Sequence, residues 1–158
     1  MLTNEKVILR IFEPADIEPV YILVMDTIDK SYTSVYPEEA IRFFKQYHCK
    51  ENIYDDYLNG YTIIAELEKE IVGTGTLLGA NIRRVFVNKC YQGHGLGKLI
   101  MKELENRASN EGQKAVDLSG SLTAKRFYDS LGYVTQAEKY IDVGKDIKLI
   151  YYQMLKNL

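Results

Sequence analysis

The sequence lacks tryptophan and contains two cysteines among its 158 residues. Two cysteines cannot form the dense disulfide framework of a small secreted scaffold. Cys49 and Cys90 also show no metal-ligand spacing with each other or with His48 and His94, the two histidines of the chain. We therefore expect free thiols, a cytoplasmic location and no metal site.

Long apolar runs are missing as well. No stretch approaches the roughly 20 apolar residues that a membrane span requires. Residues 1–10 also lack the basic end and apolar run of a signal peptide. Lys and Arg number 20 against 22 Asp and Glu, a net charge of −2 that disfavours a surface built for nucleic acid. The sequence thus predicts neither a membrane nor a nucleic-acid partner.

The length and patterning indicate one ordinary globular domain, residues 1–158. Hydrophobic residues make up 46% and charged residues 27% of the chain, and no repeat or linker divides it. Helical periodicity begins after Asp16, Pro37, Gly95 and Ala124. Strand patterns cover 6–12, 61–67, 71–78, 82–87, 115–118, 133–140 and 147–154. The order βααβββαβαββ is typical of a mixed α/β fold.

Charge is distributed unevenly along the chain. Seven acidic and four basic residues lie between Asp26 and Gly60, a balance of −3, whereas six basic and two acidic residues lie between Asn81 and Arg107, a balance of +4. This division suits a protein that joins a cationic ligand to an anionic one, although ordinary surface variation also produces it. Four tyrosines in the acidic part are either packing residues or the wall of a cation pocket: Tyr32, Tyr36, Tyr54 and Tyr57.

A glycine cluster lies between a predicted strand and an amphipathic helix, in Tyr91-Gln-Gly-His-Gly-Leu-Gly-Lys98. Glycines let a backbone approach an anion, and a helix N-terminus supplies free N–H groups. A Walker loop would need four residues between its glycines, and Gly93 and Gly97 are separated by three. A dinucleotide fingerprint would need a glycine where Lys98 stands. Two alternatives remain, a different anion-binding loop or a flexible turn.

Two motifs resemble those of one family. Gln92-Gly-His-Gly-Leu-Gly97 matches the Q/R-x-x-G-x-G/A signature of the GNAT superfamily of N-acetyltransferases, and Ala124-Lys-Arg-Phe-Tyr-Asp-Ser-Leu-Gly-Tyr133 resembles its A-x-x-x-Y-x-x-x-G-F/Y motif. The resemblance spans most of Tyr61–Lys156. It implies a GNAT-like fold, in which a central mixed β-sheet of about seven strands is flanked by about four helices.

The resemblance further implies acetyl transfer from acetyl-CoA to a primary amine, either a small cationic amine or a protein amine. In the family, the strand before the loop pairs with the pantetheine arm and donates an amide to the thioester oxygen. That strand corresponds here to Val85, Phe86 and Val87. The loop amides that would hold the pyrophosphate belong to Gln92, Gly93, His94, Gly95, Leu96, Gly97 and Lys98.

Tyr128 matches the tyrosine that acts as general acid in the family, protonating the departing thiolate. Its helical spacing with apolar neighbours is equally typical of a core residue. Asn81 stands in the region where many members carry a glutamate base, which leaves Glu66 or Asp117 acting through water, or an amine that arrives neutral. Ser121 replaces an asparagine that touches the cofactor in many members.

The missing base favours an alternative of a different class, an acyl-CoA-binding module without catalytic activity. His94 lies within the loop, so we expect its side chain to face solvent or phosphate. His48 falls on an apolar helical stripe, which favours a packing histidine. The tyrosine-rich closing strands suggest a possible homodimer.

Overall fold

Seven strands form one mixed sheet in the computed structural model, which describes residues 6–158. The first five residues of the predicted domain lie outside the described residues. The strand order is β1-β2-β3-β4-β5-β7-β6, and neighbours are antiparallel except β4 and β5, which are parallel. The strands are β1 Ile8–Ile11, β2 Tyr61–Leu67, β3 Glu70–Leu78, β4 Asn81–Val87, β5 Ala115–Gly120, β6 Val134–Asp142 and β7 Lys148–Asn157. The predicted fold class and the seven strands are confirmed.

Five α-helices flank the sheet within the described residues, one more than predicted. They are α1 Ile17–Ser31, α2 Glu38–Tyr47, α3 Lys50–Asn59, α4 Leu96–Asn110 and α5 Lys125–Ser130. The sequence analysis assigned no element to α3. This helix buries little beyond Ile53 and Asp56, so its apolar stripe is too short to give a periodic signal.

The sheet carries one apolar cluster on each face because side chains alternate along its strands. In β2, Ile64 packs with α1 and α3, around Val24 and Ile28. Its neighbour Ile63 points to the opposite face and belongs to the cluster around α4, with Ile100. No helix within residues 6–158 is both long and apolar enough to cross a bilayer.

α1 begins directly after Asp16, as the periodicity predicts. Asp16 precedes the helix, but its carboxylate does not cap it. The carboxylate instead accepts hydrogen bonds from the Arg10 guanidinium at 2.7 and 2.8 Å and from the Glu13 N–H at 2.8 Å. Asp16 therefore ties the end of β1 to the turn before α1.

Two glycines let α4 approach β3 closely. A Cβ added at Gly73 would lie 2.8 Å from Ile100 Cδ1, and one added at Gly75 would lie 2.7 Å from Ile100 Cγ2 and 3.0 Å from Leu104 Cδ1. Any side chain at these positions would push α4 away from the sheet. The glycine loop precedes α4, so this contact also fixes where the loop lies.

We predict that Gly75→Ala lowers the free energy of unfolding by about 1–3 kcal/mol through overpacking. Ile100→Val removes Cδ1, the atom that a Cβ at Gly73 would meet, and keeps Cγ2, the atom that a Cβ at Gly75 would meet. It should therefore reduce the loss of stability caused by Gly73→Ala and leave the loss caused by Gly75→Ala in place. Urea denaturation of the single and double variants measures both couplings. If Ile100→Val restored equal amounts of stability to Gly73→Ala and to Gly75→Ala, this description of the packing would be contradicted.

Candidate active site

β4 and β5 share one paired position and then separate. Asn81 pairs with Asp117, and the Asp117 N–H donates to the Ala80 carbonyl at 3.0 Å. Beyond that point, no strand within residues 6–158 pairs with the β4 edge that faces β5. Asn88 N–H donates to the β3 carbonyl of Val72 at 2.9 Å, so the backbone groups of Val87 point the other way, into the gap. The gap therefore presents an unpaired strand edge.

A β-bulge bends β4 beside this gap. The register with β3 shifts between the pairs Thr76–Arg83 and Thr74–Phe86, and Arg84 has a φ of 53°. Arg83 and Arg84 consequently both reach Asp56 on α3, at 3.6 and 2.8 Å. A left-handed non-glycine residue is unfavourable by roughly 1–2 kcal/mol, and the contacts of the Arg84 guanidinium hold it in place.

A cavity of about 320 Å³ occupies the gap. One wall is β4 with its bulge, and the opposite wall is formed by β5, α5 and the last two strands. Seven of the lining residues are tyrosines or phenylalanines, and none of the carboxylates within residues 6–158 contributes to the lining. The aromatic lining residues are Tyr32, Phe43, Phe44, Tyr47, Phe86, Tyr128 and Tyr151.

The segment from α1 to α2 covers the cavity and is tied to its far side. The Tyr36 hydroxyl accepts a hydrogen bond from the Leu122 N–H at 2.6 Å, in the loop between β5 and α5. Burial raises the pKa of Tyr36 to about 12, so the hydroxyl stays neutral. Tyr36 and Ala40 also pack against Leu149 of β7. The first third of the chain therefore forms the roof of the site.

Tyr128 is buried among aromatic rings and also lines the cavity. It is 8% exposed, and its ring packs 5.2 Å from Phe127 and 5.8 Å from Tyr133 between centroids. Its ring therefore belongs to the core and at the same time borders the cavity. Burial raises the pKa of this phenol, so it carries its proton at neutral pH.

The glycine loop offers a row of backbone donors. The N–H groups from Gly93 to Lys98 find no acceptor within residues 6–158. Gly93 and Gly95 have φ values of 80° and 88°, and a Cβ at either position would meet nothing within 4 Å. His94 is exposed, as expected. Free N–H groups at the beginning of α4 form a ready site for an anion.

Gln92 and Gly97 differ from the other loop residues in what they contact. Gln92 N–H already donates to the Lys89 carbonyl at 3.4 Å, and its side-chain amide donates to the Val87 carbonyl at 3.0 Å. Gln92 thus fixes the loop to the end of β4. A Cβ at Gly97 would lie 3.0 Å from the Phe127 ring, so this glycine permits the contact of α4 with α5.

Neither candidate base lines the cavity. Glu66 is bonded to Arg10 at 2.8 Å. Asp117 accepts a 2.6 Å hydrogen bond from Asn81, whose side-chain oxygen in turn accepts from Arg83 at 2.8 Å. Ser121 does line the cavity. The structure therefore gives a protein carboxylate base no support.

His48 is a packing histidine, as predicted, and it also lines the cavity. It is 7% exposed, and its ring lies edge-on to Phe86 at 5.0 Å. Its Nδ1 is 2.6 Å from the Arg84 guanidinium, which can only donate, so the ring proton is on Nε2. Burial, and then the Arg84 charge, lower the pKa of His48 to about 3. His48 is thus a neutral hydrogen-bond donor and not a base at neutral pH.

Of the four tyrosines in the acidic segment, Tyr32 lines the cavity and Tyr36, Tyr54 and Tyr57 do not. Tyr54 and Tyr57 pack together beside Phe12. Most of the carboxylates are held in ion pairs: Asp26–Lys30, Asp29–Lys45, Glu38–Arg42, Glu39–Lys145 and Asp56–Arg84. The expectation of an acidic acceptor site therefore receives no support from the structure.

The sequence analysis missed the cluster of Arg83, Arg84 and Asp56. Two adjacent arginines inside an otherwise apolar strand were the available signal, because buried arginines need partners. The described residues bring together no group of three or more His, Cys, Asp or Glu side chains that could hold a metal ion.

Comparisons with known proteins agree with this geometry. The family described as "Acetyltransferase (GNAT) domain" matches residues 32–155. An uncharacterized acetyltransferase of Streptococcus pyogenes is 28% identical over 107 residues, which cover 65% of this chain and 73% of that protein.

Solved structures show the same fold. A GCN5-related N-acetyltransferase from Rhodopseudomonas palustris superposes with a TM-score of 0.87 at 23% identity, covering 96% of this chain and 95% of that one. The yncA protein from Salmonella typhimurium, solved with its cofactor acetyl-CoA, superposes with a TM-score of 0.67 at 15% identity, covering 96% of this chain and 94% of that one.

The buried His48 should make stability depend on pH. Its folded-state pKa of about 3 lies below the ordinary 6.5, so between these pH values the unfolded chain binds a proton at His48 and the folded chain does not. The contribution of the neutral, buried His48 to stability is complete above pH ~6.5 and is lost as the pH falls towards 3. When the pH falls from 7 to 5, the free energy of unfolding of the parent protein should decrease by about 2 kcal/mol more than that of the His48→Gln variant.

Urea denaturation at the two pH values measures this difference. His94→Gln is the matched control, because it makes the same substitution at the exposed histidine of the chain. An identical loss in the parent protein and in His48→Gln would contradict the assignment of a neutral, buried His48.

Proposed function

Because the chain belongs to the GNAT acetyltransferase family, we propose that it transfers an acetyl group from acetyl-CoA to the nitrogen of a primary amine. One observation carries this proposal: a free strand edge, free loop amides and a protonated phenol lie around one gap in the sheet. Tyr128 lines the cavity at that gap. The free Cys49 and Cys90 thiols support a cytoplasmic location.

The residues present suit acetyl-CoA. The unpartnered N–H groups from Gly93 to Lys98 would hold the pyrophosphate, and Gln92 would support the loop through its bond to Val87. The β4 residues Val85, Phe86 and Val87 border the gap and would pair with the pantetheine arm. When bound, acetyl-CoA supplies the acetyl group as a thioester.

Residues around the gap would then carry the chemistry. The amine nitrogen forms a bond to the acetyl carbon while the carbon–sulfur bond breaks. Tyr128 donates its hydroxyl proton to the leaving sulfur and regains one from solvent, and the nitrogen releases one proton to water. A backbone N–H of β4 would stabilise the charge that grows on the acetyl oxygen. The products are an amide and the thiol of CoA.

The homodimer suggested by the sequence stays a prediction. β6 is an edge strand that exposes Val134 and Tyr140, which would give a partner strand a place to pair.

We predict that Gly95→Val abolishes CoA binding. Gly95 has a φ of 88°, and a branched side chain there would both strain the loop and cover its donors. Gly112→Val is the matched control: this residue follows α4 at its other end with a φ of 89° and has equally open surroundings. Both variants should lose similar stability, and only Gly95→Val should lose affinity in calorimetry. Unchanged CoA affinity in folded Gly95→Val would refute the loop assignment.

Tyr128→Phe should lower kcat by roughly 10²- to 10⁴-fold, because it removes the proton donor and keeps the ring. CoA affinity and melting temperature should stay close to those of the parent protein. Tyr133→Phe is the control, since Tyr133 packs against Tyr128 but donates its hydroxyl to Glu105 at 2.9 Å, outside the cavity. A Tyr128→Phe enzyme within about twofold of the parent kcat would leave Tyr128 with a packing role alone.

A further inference from the structure

We propose that the acceptor is an amine with an apolar, preferably aromatic, body that also carries a carboxylate. This inference rests on the proposed acetyl transfer and names the substrate class of the same site. It replaces the cationic acceptor that the charge distribution along the sequence suggested.

The shape and chemistry of the roof favour an apolar body. Tyr32 contacts Phe44 edge-to-face, with centroids 5.0 Å apart, and Phe43 stacks on Tyr47 at 6.0 Å. These rings line the cavity together with Tyr151 from β7. Aromatic walls gain most from contact with another ring or an alkyl chain, which removes their surface from water.

The polar groups on the bulge wall are mainly donors. Arg83 lines the cavity with 30% of its side chain exposed, and its Nε donates to Asn81. Among the described residues, its one carboxylate contact is Asp56 at 3.6 Å, and Asp56 is bound more closely by Arg84, at 2.8 Å. Two guanidinium groups thus share one carboxylate. The wall holds an excess positive charge that a substrate carboxylate would neutralise.

His48 adds a neutral donor to the same wall. Arg84 occupies its Nδ1, so the Nε2–H is the one polar group that the ring can offer to a ligand. Arg84 itself is nearly enclosed, with 4% of its side chain exposed, and its Nε has no partner among the described residues. Arg84 therefore positions His48 and Asp56, whereas Arg83 and His48 are the donors in reach of a ligand.

The same wall disfavours a polycation. An ammonium group would meet an excess of positive charge and, in the part of the chain that the structure describes, no lining carboxylate. The positive charge of the wall also favours the neutral form of a reacting amine. An amine that is already neutral does not need a carboxylate base to remove a proton before it attacks.

Matched substrates separate these alternatives. Phenylalanine and 2-phenylethylamine share a ring and an amine and differ in the carboxylate, and spermidine represents the polycations. Arg83→Gln removes the guanidinium, and Arg83→Lys keeps a positive charge. Arg42→Gln is the control, because Arg42 is 66% exposed on α2 and pairs with Glu38 outside the cavity.

The parent protein should acetylate phenylalanine more efficiently than 2-phenylethylamine, and both more efficiently than spermidine. In Arg83→Gln, kcat/KM for phenylalanine should fall roughly tenfold to a hundredfold, mainly through KM, while that for 2-phenylethylamine stays within about threefold. Arg83→Lys should restore part of the loss, and Arg42→Gln should change neither substrate. Melting temperatures show whether each variant is folded.

This inference is overturned if spermidine is the best substrate, or if Arg83→Gln lowers kcat/KM equally for phenylalanine and 2-phenylethylamine. Either result would leave the proposed function standing. Absence of acetyl transfer to every amine would contradict the proposed function instead. Calorimetry of phenylalanine with the CoA-loaded protein tests the acceptor site independently of turnover. Binding that weakens in Arg83→Gln supports the inference, and no binding to the parent protein overturns it.

Discussion

The separation of two parallel strands determines most of what this protein can do. β4 and β5 pair at Asn81 and Asp117 and nowhere else within the described residues. A strand edge inside a sheet normally finds a neighbouring strand, since unpaired backbone groups are unfavourable when buried. Here the β4 edge beyond Asn81 has no neighbouring strand among the described residues. The cavity, which Tyr128 lines, lies at that separation.

The separation is maintained by contacts from the part of the chain that carries no family motif. α3 supplies Asp56, which holds the Arg84 guanidinium, and Arg84 in turn fixes His48 at the end of α2. Breaking a buried ion pair of this kind is strongly destabilising, because it leaves a charge without a partner. The bulge and the roof of the cavity therefore depend on each other. The first third of the chain belongs to the site as much as the motifs do.

Features with local signals could be predicted from the sequence. Glycines between a strand and a helix marked the loop, and helical spacing with Gly132 marked α5 and hence Tyr128. The bulge at Arg84 could not be predicted, because its left-handed backbone is imposed by β3 and by tertiary contacts rather than by a glycine. The ion pairs of 26–60 could not be predicted for a related reason: counting charges does not show which carboxylates are already paired.

The central claim is that the residues around this gap in the sheet catalyse the transfer of an acetyl group from acetyl-CoA to an amine. Release of free thiol from acetyl-CoA, followed in parallel with mass spectrometry of the amine, tests it most directly. The account predicts thiol release that requires an amine and matches the amount of acetylated amine formed. Tight binding of acetyl-CoA with no amine-dependent thiol release across neutral, carboxylate-bearing and cationic amines would contradict it, and would indicate an acyl-CoA-binding module without catalytic activity.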